Sequence, residues 1–293
     1  MYRRTMLWTA SLVLGLLAGP AQALMVAPPS PPARVAASDL VIVGKVEELA
    51  EKTIPAELSK GDTRPMQIAS VLVKETVLGA PRKIVRVGFF PPMATPAPAP
   101  AGAPRIMIRR YPTVQLTAGQ EAIFYLMRHP TKKDVYLAQM YSDVVNKKDN
   151  EQFARELEDI RRIAKLLADP AAGLTSKVAT DRFSTAALLI TRYKTQRPGN
   201  TKTVPISAEQ SKQILQALAE ADWERRGGGD WTLNPTSLFF RLNLQAKDGW
   251  SPPANAAEIP QAARKWLRDN AATYRLERFV WPSEEDVSAE PTK

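Results

Sequence analysis

The chain of 293 residues contains no cysteine and a single histidine, His129. Disulfide bonds are therefore excluded, and the fold must be stabilised without covalent cross-links, which a chain of this length can achieve. Zinc, haem-thiolate and iron–sulfur sites usually need several Cys or His ligands. The composition excludes such sites, and the residues indicate neither a metal nor another cofactor.

Long apolar runs are also missing, because none reaches the roughly 20 residues that span a bilayer. The run from Met6 to Leu17 follows Arg3 and Arg4 and precedes small residues that include Ala21 and Ala23. This order is typical of a secretory signal peptide cleaved after residue 23, with an uncleaved membrane anchor as the alternative. We predict a signal peptide over 1–23, no later transmembrane segment, and export to a periplasm or the extracellular space.

The residues that could catalyse a reaction are sparse. His129 lies before a proline and two lysines, and no Gly-x-Ser-x-Gly motif is present, so we interpret it as a surface-loop histidine. Glu156 and Asp159 share a helix face but are surrounded by arginines, which is typical of a solvated, ion-paired surface. The run Gly227–Gly229 lacks the strand and Gly-Lys-Ser/Thr of a phosphate loop and is interpreted as a linker. The sequence predicts no catalytic residue.

Proline, in contrast, is plentiful, and its 25 copies cluster. They mark a leader over 24–37, which we expect to be extended as far as Pro32, and a Pro/Ala loop over 91–104. Between and after them lie runs rich in Val, Ile and aromatic residues, which predict strands. The predicted strands cover 38–46, 66–78, 83–90, 105–116, 121–127 and 134–145, and 47–63 is predicted to be a loop or a short excursion.

Three of these segments carry a resemblance to a known fold. Ser38–Val46, Ala69–Gly79 and Leu116–Leu126 resemble, in their apolar pattern, a group of exported bacterial proteins. The N-terminal domain of that group is similar to the OB-type barrel of tissue inhibitors of metalloproteinases. The resemblance spans 36–145 and implies a small OB-like β-barrel over 38–146. The inhibitors use an N-terminal cysteine on the target metal, so the absence of cysteine means that the resemblance does not extend to inhibition.

The apolar period changes to that of helices after residue 150. Apolar residues recur at helical spacing from Phe153 to Leu167, with Asp149 or Asn150 as the expected cap. Further helices are predicted over 174–193, 209–223, 236–244 and 260–270, the third behind a capping box at Ser207 and Gln210. The fold class is therefore α+β with two domains, the second an all-α bundle or short HEAT-like stack over 147–281. Residues 282–293 are predicted to be an acidic, disordered tail.

Two groups of residues are candidates for binding. The first is basic and flanks the Pro/Ala loop on neighbouring predicted strands, where it could bind an anionic polymer or merely form a solvated, aggregation-resistant edge; it comprises Arg82, Arg86, Arg105, Arg109 and Arg110. The second brackets a glycine run with aromatic and basic side chains, which could stack on a ligand or belong to the core; it comprises Trp223, Arg225, Arg226 and Trp231.

These observations favour an exported, non-enzymatic binding protein with an envelope or extracellular protein as its partner. The net charge of +10 favours anionic partners at long range. An anionic envelope polymer bound to the basic face is the first alternative. A hydrolase with a carboxylate pair that the sequence does not identify is the second. Nucleic acid is not an expected partner of an exported chain.

Overall fold

The computed structural model describes residues 29–59, 61–91, 113–197, 202–224 and 233–280. The predicted signal peptide, nearly all of the Pro/Ala loop and the predicted acidic tail lie outside these residues. The described chain is α+β, with a seven-stranded sheet, a separate two-stranded sheet and seven α-helices. None of the described helices is both long and apolar enough to cross a membrane.

The large sheet contains β1 Leu40–Leu49, β2 Ile54–Ser59, β3 Asp62–Leu78, β4 Ile84–Phe89, β5 Glu121–Arg128, β6 Val135–Ala138 and β7 Val144–Asn146. The α-helices are α1 Pro31–Ala37, α2 Phe153–Ala168, α3 Pro170–Leu174, α4 Ala179–Lys194, α5 Ala208–Ala219, α6 Pro235–Arg241 and α7 Ile259–Asn270. The small sheet pairs β8 Thr203–Pro205 with β9 Glu277–Phe279.

The strand pairings close on themselves. The order is β1-β3-β4-β6-β5-β7, and β1 also pairs with β5, so five strands form a ring of pairings. The β4–β6 pair is parallel, and the other pairs in the ring are antiparallel. Because β2 and β7 pair outside the ring, the sheet is larger than a simple five-stranded barrel.

The predicted first strand is confirmed, and its inner face is the predicted one. Leu40, Ile42 and Val46 are buried in one apolar cluster with residues of β3, β4 and β5. The pairing of β1 with β3 shifts register at Gly44. A Cβ at this position would lie 2.9 Å from the carbonyl oxygen of Leu72. Only glycine therefore allows the two strands to approach so closely here.

Two strand predictions need correction. The predicted loop over 47–63 contains β2, which forms a hairpin with β3. Pro55 weakens the strand signal, but β2 pairs on one side only, where a missing N–H is tolerated. The predicted strand over 134–145 is divided into β6, a 3-10 turn over Tyr141–Asp143 and β7. The Asp143 carboxylate holds this turn by accepting hydrogen bonds from the backbone N–H groups of Gln139 and Met140.

A third strand prediction lies mostly outside the described residues. Of the predicted 105–116 strand, the structure describes 113–116, which is not a strand. Val114 and Leu116 are nevertheless buried in the same apolar cluster as Leu40 and Ile42. This segment therefore contributes side chains to the core without joining the sheet.

The end of the proline-rich leader is a helix rather than extended chain. Helix α1 begins with two prolines, whose missing N–H groups would be unpaired in a first helical turn anyway. The Ser30 hydroxyl caps it by accepting a hydrogen bond from the backbone N–H of Ala33 at 3.4 Å. Val35 and Ala36 are buried, so this helix is part of the folded core.

The helical part follows the predicted pattern with local differences. Helix α2 buries Phe153, Ile160 and Ala164 as expected, but Gln152 precedes it and provides no side-chain cap. The predicted 174–193 helix corresponds to α4, which begins only at Ala179, and Leu174 is instead the last residue of the short helix α3. The Ser207 cap is confirmed by its hydrogen bond from the backbone N–H of Gln210. The β8–β9 pair shows that this part of the chain is not all-α.

A shared apolar cluster joins the sheet to the helices. It contains residues of α1, β1, β5, α2 and α4, namely Val35, Ala36, Val41, Ile123, Tyr125, Phe153, Ile160, Ile163 and Leu188. Two ion pairs with little exposed side-chain surface lie beside it, Arg34–Glu156 at 2.8 Å and Arg197–Asp39 at 3.3 Å. A common core thus crosses the division predicted between residues 146 and 147.

Candidate functional site

A set of exposed or half-buried cations lies where β4 and β6 begin. Because these strands are parallel with Arg86 opposite Val135, the segments that precede them lie at the same edge of the sheet. Arg82 and Lys83 precede β4, and Lys132 and Lys133 precede β6. The parallel pairing therefore brings together positive charges that are about 50 residues apart in the sequence.

Arg82 and the neighbouring Arg86 of β4 are oriented by residues on β6 and just before it. The guanidinium of Arg82 lies 5.4 Å from the centroid of the Tyr136 ring. Arg86 forms an exposed ion pair with Asp134. Exposed pairs of this kind contribute little stability, so they fix the direction of the side chains more than the fold. The positive charge at this edge remains in contact with solvent.

His129 supports the same edge from inside and is not the surface-loop histidine that the sequence predicts. It is buried, and its Nδ1 accepts hydrogen bonds from the backbone N–H groups of Thr131 and Lys132, both at 3.1 Å. Burial lowers its pKa, and the nearby Lys132 ammonium acts in the same direction. A neutral imidazole thus shapes the turn that presents Lys132 and Lys133.

Apolar side chains are exposed beside the cations. On the outer face, Lys45 of β1 pairs with Leu72 of β3, and Leu72 pairs with Ile84 of β4. Leu72 is 38% and Ile84 is 55% exposed. We call the surface formed by Lys45, Leu72, Arg82, Lys83, Ile84 and Arg86 the basic–apolar patch.

A shallow groove continues the basic–apolar patch toward β2. It has a volume of about 210 Å³ and is lined by Glu48, Ala50, Lys52, Ile54, Ile68, Ser70 and Arg86. Arg86 belongs to both the patch and the groove. A partner on the patch could therefore extend a side chain into the groove past the Arg86 guanidinium.

The structure places only part of the predicted basic face. Arg82 and Arg86 lie in the basic–apolar patch, whereas Arg105, Arg109 and Arg110 lie outside the described residues. Leu72 and Ile84 were not predicted from the sequence as candidate binding residues. The signal for Leu72 was present, because strand alternation places it on the outer face with the lysine at 74, opposite the buried Val71.

The predicted Trp-Arg group is not assembled in the described chain. Trp223 is buried, packs edge-on against Phe239 and donates its indole N–H to the carbonyl of Leu218 at 3.0 Å. It is a core residue and has no free face for a ligand to stack on. Arg225, Arg226 and Trp231 lie outside the described residues, as does the glycine run at 227–229.

Of the two carboxylates predicted to share a solvated face of α2, only Asp159 has the predicted environment. Asp159 forms the expected exposed ion pair with Arg162. Glu156 instead lies between the sheet and α2, where Arg34, Asn150 and the Tyr125 hydroxyl donate hydrogen bonds to it. The interpretation of Glu156 as a solvated surface residue is therefore wrong, because α1 and β5 cover it.

Within the described ranges, no three His, Cys, Asp or Glu side chains come close enough to hold a metal ion. No model of a known protein family matches the chain, and no curated protein matches it significantly.

Proposed function

We propose that this chain is an exported binding protein that docks an acidic protein partner on the basic–apolar patch. The observation that carries the proposal is the exposed cross-strand pair of Leu72 and Ile84, with cations on its borders. Protein interfaces combine an apolar centre with a polar rim, and charge on the rim steers a partner of opposite sign. The neighbouring groove adds a concave surface for one side chain of the partner.

We also propose a fold for each part of the chain. The sheet part is an OB-like barrel, similar to the N-terminal domain of tissue inhibitors of metalloproteinases. The ring of five strand pairings and the parallel β4–β6 pair support this. The helical part is a bundle or a short HEAT-like stack that packs against the barrel and follows it in the chain.

The alternative is an anionic envelope polymer as the ligand. The cations before β4 and β6 favour it, because a polyanion would neutralise them without needing the apolar pair. The two proposals differ in what they require of Ile84, and in how steeply binding falls with salt. A protein partner needs Ile84, whereas a polymer needs only the charges.

The test is capture of envelope proteins by residues 24–293, with a variant of the patch and a matched control. The patch variant carries Ile84→Ser and Arg86→Gln. The control carries Val178→Ser and Lys177→Gln, which alter an exposed apolar side chain and an adjacent exposed cation just before α4. Circular dichroism shows beforehand that all three proteins are folded.

We expect the wild type and the control to capture the same acidic protein. The patch variant should capture at least tenfold less of it. Equal capture by the patch variant would overturn the proposal. Capture of a polymer that is lost at about 0.5 M salt, and that the single variant Arg86→Gln reduces while Ile84→Ser does not, would establish the alternative.

A further inference from the structure

A second concave surface lies in the helical part of the molecule. It is a groove of about 390 Å³ between the end of α4, the segment after α6 and the β8–β9 pair. This volume lies within the range of small-molecule sites. Charged side chains dominate its lining, with four cations and two carboxylates; they are Lys194, Arg241, Lys247, Arg275, Asp248 and Glu277.

Both carboxylates of the groove have protein donors. Asp248 accepts a hydrogen bond from the backbone N–H of Gln245 at 2.8 Å, which closes a 3-10 turn. Glu277 accepts one from the Thr203 hydroxyl at 2.9 Å, which joins β9 to β8. These two groups are therefore committed to holding the walls of the groove together.

The arginines of the groove are also engaged with the protein. Arg241 donates a hydrogen bond to the hydroxyl of Thr191. Arg275 donates to the carbonyls of Ala272 and Tyr274. Their guanidinium groups are therefore positioned, and they add positive charge to the walls.

Lys194 differs from these groups. It is the last residue of α4 and is partly buried, and this burial lowers its pKa although Glu277 and Asp248 oppose the effect. Within the described chain, its ammonium donates no hydrogen bond. Partial burial disfavours the charged form of this ammonium, and an anion that enters the groove would offset that cost.

The groove also has an apolar side. Leu242, Tyr274 and Phe279 line it, and burial raises the pKa of the Tyr274 hydroxyl to about 12, so it is a neutral donor at physiological pH. Trp266 lies behind this wall, where its ring packs on Tyr274 and its indole N–H binds the carbonyl of Asp248. A ligand in the groove would therefore lie close to a fluorescent side chain.

We propose that this groove binds a small organic anion, with its carboxylate or phosphate group on Lys194 and its apolar part against Tyr274 and Phe279. The site is separate from the basic–apolar patch and does not depend on the function proposed for it. A carboxylate and a phosphate are both anionic hydrogen-bond acceptors for Lys194. The test decides which of the two groups the groove prefers.

The probes are benzoate and phenyl phosphate, with benzamide as the neutral control of the same shape. Binding is followed by tryptophan fluorescence and by isothermal titration calorimetry on residues 24–293. We expect one of the two anions to bind at least tenfold more tightly than benzamide. The preferred anion identifies the natural group as a carboxylate or a phosphate.

The decisive variant is Lys194→Met, with Lys177→Met near the start of the same helix as the control. We expect Lys194→Met to weaken binding of the preferred anion at least tenfold. Lys177→Met should leave this binding unchanged. Lys194→Arg keeps the positive charge and should retain most of the binding. Equal binding of benzamide, no binding of either anion at millimolar concentration, or unchanged binding by folded Lys194→Met would each overturn the proposal.

Discussion

Glu156 connects three elements of the fold through one carboxylate. Its Oε1 accepts hydrogen bonds from Arg34 of α1 and from the hydroxyl of Tyr125 of β5, both at 2.8 Å. Its Oε2 accepts one from Asn150 at 3.1 Å. Burial raises the pKa of Tyr125, so this hydroxyl stays protonated and remains a donor. The carboxylate thus satisfies donors that would otherwise be buried without a partner.

We predict that Glu156→Gln lowers the free energy of unfolding by about 3 kcal/mol, because it removes the carboxylate that pairs with the largely buried Arg34 guanidinium. Urea denaturation measures this. Asp159→Asn is the control from the same helix, and it should cost under about 0.5 kcal/mol because its ion pair is exposed. Equal losses in the two variants would contradict the structural role of Glu156.

Asp143 predicts a pH dependence of stability. Burial raises its pKa from 3.8 to about 6, against the opposing hydrogen bonds from Met140 and Gln139. A carboxyl whose pKa is raised on folding stabilises the fold fully below about pH 4, and this contribution is lost as the pH rises through about 6.

The difference in unfolding free energy between the wild type and Asp143→Asn isolates this effect, because the other titrating groups cancel. We predict that the difference shifts against the wild type by roughly 1 to 3 kcal/mol between pH 4 and pH 7. Urea denaturation at four pH values measures it. A difference that does not change with pH would show that Asp143 titrates normally.

At the scale of elements, Gly44 is required by the close approach of β1 to β3. A Cβ there would lie 2.5 Å from Cγ1 of Val71 and 2.9 Å from the backbone oxygen of Leu72. We predict that Gly44→Ala destabilises the protein by about 2 kcal/mol, because backbone cannot yield to the added carbon.

Thermal and urea denaturation measure this change, with Gly119→Ala as the control. A Cβ at Gly119 meets nothing within 4 Å, but φ there is +83°, so that variant should lose only about 1 kcal/mol through backbone strain. A smaller loss at Gly44 than at Gly119 would contradict the packing of β1 on β3.

The sequence predicts a strand or helix well where apolar residues recur at regular spacing along its buried face. The inner face of β1, the core face of α2 and the Ser207 cap were all recognisable from spacing. Helix α1 was not recognisable, because it is only seven residues long and its two prolines are equally typical of an extended leader. Its burial depends on β1, β5 and α2, which no local pattern reveals.

Of the basic–apolar patch, only the basic residues could be predicted from the sequence. Arg82 and Arg86 are visible as basic residues near a proline loop, but their neighbours depend on the parallel pairing of β4 with β6. That pairing joins distant segments and leaves no local signal. The partial burial of Lys194 could not be predicted either, because its environment comes from α6, β8 and β9.

At the scale of the whole molecule, the shared cluster couples the sheet to the helices. The five tryptophans after residue 23 all lie at position 223 or beyond, in the helical part of the chain. Ile123, in contrast, belongs to β5 in the sheet. Ile123 is fully buried in the shared cluster with residues of α2 and α4. Tryptophan fluorescence thus reports on the helical part when the sheet is altered.

We predict that Ile123→Ala lowers the urea midpoint of the tryptophan signal by about 1 M, because a cavity in a common core destabilises both parts together. The far-UV circular dichroism midpoint should shift equally. Glu51→Ala, at an exposed position before β2, is the control and should shift neither signal. An unchanged tryptophan midpoint for Ile123→Ala would show that the two parts unfold independently.

The central claim, that the basic–apolar patch docks a protein, is tested most directly by site-specific photocrosslinking in cells that produce the chain. A photoreactive phenylalanine replaces Ile84 in the patch, and in the control it replaces Val178, which is similarly exposed just before α4. The account predicts one discrete protein adduct from position 84 and none of that size from position 178. No adduct from position 84, or the same adducts from both positions, would contradict it.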